Sequence, residues 1–172
     1  MSVATNYAMA GLANVTIMDF IVFVGGLLFG PLVGALTGMF SWLIYGAINP
    51  YGFVPQIWIA TMCSETVYGL MGGFVGRKLV SALHEGQLFQ LSLFLGVIGF
   101  ISTLIYDLAT NAVFALVYGI PILAAVVSGT PFALLHELSN VAIFVLGCVP
   151  VMISVKNFLG VERIEQISAF AK

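Results

Sequence analysis

The chain has 172 residues, of which 61% are hydrophobic and 7% charged, with a formal net charge of −2 and a mean hydropathy of +1.14. A soluble domain carries about 25% charged residues, so this sequence cannot clothe a water-facing surface in charge, and it reads as an all-α integral membrane protein. The small net charge and the lack of any Lys/Arg cluster exclude a nucleic-acid partner.

At about 20 residues per crossing, the length suits one domain over residues 1–172 with six transmembrane helices, because backbone in lipid must satisfy its own hydrogen bonds. The first apolar piece, 3–13, is short, and no charged segment precedes it as in a cleaved signal peptide. A polar break, NVTIMD (14–19), leads into a second span over 20–29, which Gly30-Pro31 ends. The third span is expected over 32–48, the turn NPYGF over 49–53, and the fourth span over 54–76, closed by Arg77-Lys78. SALHEGQLFQ (81–90) is the most polar internal loop. The fifth span, 91–118, is long enough to tilt or to leave the bilayer at one end. Residues 119–131 link it to a sixth span over 132–155, and a polar tail follows from about 156 to 172. Cys63 and Cys148 fall inside apolar runs and read as small buried hydrophobes.

All five basic residues (Arg77, Lys78, Lys156, Arg163, Lys172) fall on one side of a six-span chain. The positive-inside rule makes that side cytoplasmic and puts both termini there. The ionisable residues within the spans cluster at the other end. Asp19 starts span two, Glu65 lies midway along span four, Asp107 lies past the middle of span five, and His136 and Glu137 occupy the first turns of span six. Such residues cost roughly 2.5–3.5 kcal/mol each at the bilayer centre on insertion scales, which makes them functional candidates.

Helical spacing groups them further. Asp107 and Asn111 share a face at i,i+4, as do His136 and Asn140. Trp58 and Glu65 lie along one side of span four, with Asn49 and Tyr51 at its outer end. The expected arrangement is one outward-facing pocket with aromatic walls and a few convergent polar groups, the usual make-up of a small-molecule site. The plainer alternative is that these groups act as interhelical glue. Gly30, Gly34 and Gly38, with Gly69–Gly73 and Gly72–Gly76, form small-residue ridges for close helix contact, and Ala4 and Ala8 make A-x-x-x-A on the first span. HELSN (136–140) has Asn140 where the zinc-protease signature H-E-x-x-H requires its second histidine, so zinc chemistry is not expected. No P-loop, nucleophile elbow or dinucleotide fingerprint is present. The expectation is therefore a non-enzyme with no metal or resident cofactor.

The runs NVTIMDFIVFVGGLLFGPLVGALTG and LIYGAINPYG, then YDLATNAVFALVYGIP and GTPFALLHELSNVAIF, resemble the substrate-binding (S) components of energy-coupling-factor (ECF) vitamin transporters. The resemblance covers about residues 14–155, and the order of these motifs is its specific part. It implies six membrane helices with both termini inside and high-affinity capture of a vitamin or related micronutrient near the outer face. It also implies a multi-pass protein of a prokaryotic cell membrane. The expected partners are an ECF transmembrane coupling subunit and two ATPase subunits, which would hydrolyse the ATP. The family's A-x-x-x-A contact with the coupling subunit would fall on Ala4 and Ala8, although the first span is shorter than the family's.

The expected chemistry is binding. Tyr51, Trp58 and Tyr106 would stack on a ring, while Asn49, Glu65, Asp107, Asn111, His136, Glu137 and Asn140 would serve its polar edge. Three acidic groups and no outer Arg favour a neutral or cationic ligand. The rival reading is a stand-alone proton- or cation-coupled carrier with Glu65, Asp107 and His136 as a relay.

Overall fold

The computed structural model describes residues 1–9, 11–12, 14–48, 52–79 and 87–159. These form six helices and no strand: α1 (Ser2–Ala8), α2 (Met18–Phe29), α3 (Pro31–Ala47), α4 (Pro55–Leu79), α5 (Leu88–Tyr118) and α6 (Ile122–Leu159). Two of them, α5 and α6 as far as Val155, are long and apolar enough to cross a membrane, and their most apolar stretches are only 33% and 28% buried. The core helix of a soluble protein would hide most of such a stretch. Here Leu116, Leu123 and Leu146 each stay 74% exposed, a surface suited to lipid.

The six expected spans are not six equal helices. At about 1.5 Å per residue, α1 and α2, with 7 and 12 residues, reach about 10 and 18 Å, short of a hydrocarbon core about 30 Å thick. The 31 residues of α5 and 38 of α6 reach about 47 and 57 Å. The expected link at 119–131 is largely absent, because α6 starts at Ile122 and carries Pro131 inside it. The chain turns at Gly119, whose φ of +65° suits glycine. A proline within a long helix removes one N–H, which neighbouring helices and hydroxyls can offset in a membrane protein. The carbonyl that Pro131 leaves without its helix donor is that of Val127, four residues back; Thr130 beside it donates to the Val126 carbonyl at 2.9 Å. Leu88–Gln90, expected in the polar loop, begin α5. Residues 81–86, the turn residues 49–51 and the tail from 160 onward lie outside the described residues.

Gly30-Pro31 breaks the chain as expected: Gly30 has φ +94° and Pro31 opens α3. The glycine ridges then let α2, α3 and α4 approach closely. A Cβ on Gly69 would lie 2.0 Å from the Gly34 carbonyl carbon, and one on Gly34 would lie 2.5 Å from the Gly26 Cα. The core beside them holds Met18, Val22, Phe23, Tyr68, Leu95 and Phe144. Hydroxyls in the helices satisfy themselves locally: Thr37, Thr61, Ser102, Thr103 and Thr110 each donate to the carbonyl four residues back, a common solution for a hydroxyl without water. Cys148 is buried, whereas Cys63 is exposed on α4. Cys63 stands between Met62 and Ser64, in a stretch that also holds Thr61, Glu65 and Thr66.

Candidate ligand site at one end of the bundle

The alternating course of α2 to α6 brings the starts of α2, α4 and α6 together with the ends of α3 and α5. A cavity of about 780 Å³ opens there. Its volume falls within the range of about 300–1,000 Å³ usual for small-molecule sites. From α5 it is lined by Tyr106, Asp107, Thr110, Asn111 and Phe114, and from α6 by Gly129, Phe132, Ala133 and His136. Trp42 and Tyr45 of α3, Ile57 of α4 and Asp19 of α2 complete the walls. Asn6, Met9, Gly11, Leu12, Asn14, Val15 and Thr16 form the remaining side, where Thr16 Oγ1 donates to Asn6 Oδ1. On α6, Gly129, Ala133, His136 and Asn140 follow one another at spacings of three and four, so they form a single stripe.

At the base of the cavity His136 bridges two carboxylates. Its Nε2 lies 2.8 Å from Asp19 Oδ2 and its Nδ1 2.9 Å from Asp107 Oδ1. Each of these hydrogen bonds contains one proton, and a neutral imidazole supplies only one of the two. The second is carried either by an imidazolium or by a carboxylic acid. In both cases the three groups together hold one net negative charge. Behind them, Asn140 Nδ2 donates to Asp19 Oδ2 at 2.6 Å and to Thr103 Oγ1 at 2.9 Å, with the Tyr68 hydroxyl oxygen at 3.4 Å. Tyr68 donates to Thr103 Oγ1 at 3.0 Å, and Thr103 donates to the Gly99 carbonyl at 2.9 Å. The network thus ties α2, α4, α5 and α6 together. Asp107 Oδ2 and Asn140 Oδ1 are buried without a hydrogen-bond partner among the described residues.

Glu65 occupies a separate position. It is fully buried, and Trp42 Nε1 donates to its Oε2 at 3.0 Å, while Oε1 has no partner among the described residues. It stands behind the Trp42 ring and does not line the cavity. Trp42 packs edge-on against Tyr45 at 5.2 Å and near Tyr106 at 6.4 Å, and Tyr106 meets the His136 ring edge-on at 5.7 Å.

Of the residues expected to form the site, Tyr106, Asp107, Asn111 and His136 line the cavity. Trp58 does not: its Nε1 donates to the Trp42 carbonyl at 3.1 Å, and its ring packs over Gly46, between α3 and α4. Glu137 is buried but lies off the lining stripe. Asn140 holds the network from below. Asn49 and Tyr51 lie outside the described residues. Ala4 and Ala8 are both exposed on α1. Trp42, Tyr45 and Thr103 are the members that reasoning along single helices left out, although Thr103 stands four residues before Asp107, the same signal that paired Asp107 with Asn111; Asp19, an ionisable candidate at that end, joins them as a cluster member.

Among the described residues no group of His, Cys, Asp and Glu has the arrangement of a metal site. No family model, curated protein or solved structure matches this chain.

Proposed function

We propose that the chain is a membrane-embedded substrate-binding subunit of the energy-coupling-factor type, which captures a vitamin-like micronutrient for ATP-driven uptake by separate coupling and ATPase subunits. The observation that carries this reading is the cavity with Asp107, His136 and Asp19 at its base and aromatic rings on its walls. Its one-ended position agrees with an outward-facing site. Arg77 and Lys78 near the end of α4 and Lys156 near the end of α6 stand at the opposite end of the bundle, which under the positive-inside rule is the cytoplasmic one. The largely exposed apolar faces of α5 and α6 support a multi-pass membrane setting, with six crossings and cytoplasmic termini as the proposed topology. Ala4 and Ala8, exposed at i,i+4 on α1, present a small-residue face on which a coupling subunit would dock.

The test is to purify the chain alone, extract it and identify small molecules by mass spectrometry. The proposal expects one vitamin-like molecule per chain. A second reading, the stand-alone carrier, is favoured by a specific observation: the hydrogen-bonded cluster of Asp19, His136 and Asp107 joins three helices that alternating access would have to move. Proton-driven uptake by the lone chain in proteoliposomes, with no retained ligand, would establish that carrier and refute the subunit.

A further inference from the structure

The charge and hydrogen-bonding state of the cavity narrow the ligand class. Several of the groups that could donate from its walls are engaged within the protein. Trp42 donates to Glu65, Asn111 to the Asp107 carbonyl at 2.8 Å, Asn6 to the Met18 sulfur, Thr16 to Asn6 and Thr110 to the Tyr106 carbonyl. The wall also holds a carboxylate that the protein serves only in part. Asp107 is 7% exposed, lines the cavity, and its Oδ2 has no partner among the described residues. A buried carboxylate oxygen without a donor is costly; Oδ2 itself is closed off, and the part of the Asp107 carboxyl that lines the cavity is where a ligand N–H would offset its charge.

Charge points the same way. Two carboxylates share one histidine and leave one net negative charge, and the lining contains no Lys or Arg among the described residues. An anion would meet this charge with no cation to offset it. A neutral ligand would leave it uncompensated beneath an apolar wall. A cation would cancel it. Trp42 and Tyr106 add ring faces of the kind that attract cations.

We propose that the cavity binds a small, flat, ring-bearing organic cation with N–H donors, of the aromatic amidinium or protonated heterocyclic amine class, with its N–H directed at the Asp107 carboxylate. This rests on the reading of the cavity as a ligand site, and the test separates the two claims. Three probes of matched shape are compared on the unaltered full chain in lipid nanodiscs, freed of co-purified small molecules: benzamidinium (cation), benzamide (neutral) and benzoate (anion). Binding is followed by calorimetry and by thermal stabilisation. The expected result is benzamidinium bound at least about tenfold more tightly than benzamide, the ratio that one charge-assisted hydrogen bond supplies, with benzoate weakest. Asp107→Asn should bring benzamidinium down to the level of benzamide. Ala133→Lys, which leaves both carboxylates in place and sets an ammonium one turn from His136, should abolish benzamidinium binding. Equal or tighter binding of benzamide or benzoate would overturn the cation class and leave a ligand cavity standing. If no probe binds, both claims fall. The comparison on unaltered protein decides the matter even if a variant does not fold.

Discussion

Replacing Asn140 with leucine tests whether the polar groups behind the cavity act as one unit. The side chain keeps its approximate volume but loses the amide that donates to Asp19 at 2.6 Å and to Thr103 at 2.9 Å. A hydrogen bond to a charged group contributes about 1.5–3 kcal/mol, and a neutral interhelical bond in a membrane protein about 0.6 kcal/mol. Asp19 Oδ2 retains its bond from His136, so its loss is partial and the lower part of the range applies. Asn140→Leu should therefore cost about 2–3 kcal/mol. Asn140→Leu combined with Asp19→Ala should show a coupling of about 1.5 kcal/mol, because the bond common to both is lost only once. The assay is reversible unfolding in mixed micelles, followed by tryptophan fluorescence, on the wild type, both single variants and the double variant. Additive costs, with coupling below about 0.5 kcal/mol, would show that the Asn140–Asp19 contact carries no energy, and the network would fail as an account of how α2 is held to α6.

Glu65 and Trp42 should respond unequally in the same assay. Glu65→Gln keeps an acceptor for the Trp42 indole and removes a carboxylate with one unpartnered oxygen, so it should leave stability within about 1 kcal/mol of wild type or raise it, while Trp42→Phe strands Glu65 Oε2 and should cost about 1–3 kcal/mol. Gly69→Val places atoms where the Gly34 backbone already lies, 2.0 Å from the Cβ position. Overpacking of this kind costs typically 1–3 kcal/mol, and here, with backbone as the obstacle, the variant should be lost at membrane extraction by size-exclusion profile.

The features legible in the sequence are those that act along one helix. The Gly30-Pro31 break, the i,i+4 pairing of Asp107 with Asn111 and of His136 with Asn140, and the collection of ionisable groups at one end all follow from local chemistry and periodicity. Contacts between helices were not legible in this way. Trp58 shares a side of α4 with Glu65 at seven residues' spacing, yet its indole turns to the α3 backbone, and the ring on the cavity wall is Trp42. Spacing along α4 says nothing about which neighbour each residue meets. Asp19 was legible as one of the ionisable groups at that end; its place at the centre of the cluster depends on α6 crossing beside it, 117 residues away. The stretch before Pro131 read as a link because Gly and Pro usually punctuate helices in water. Within an apolar setting the helix continues through.

The most direct measurement is the affinity of the co-purified small molecule for wild type and for Asp107→Asn, by calorimetry on chains in nanodiscs, with thermal stability recorded alongside. A charge-assisted hydrogen bond from ligand to Asp107 predicts a loss of about 10- to 100-fold in a variant that still melts near the wild-type temperature. Unchanged affinity in a folded Asp107→Asn chain would place the ligand elsewhere and reduce the Asp19–His136–Asp107 cluster to a tie between helices.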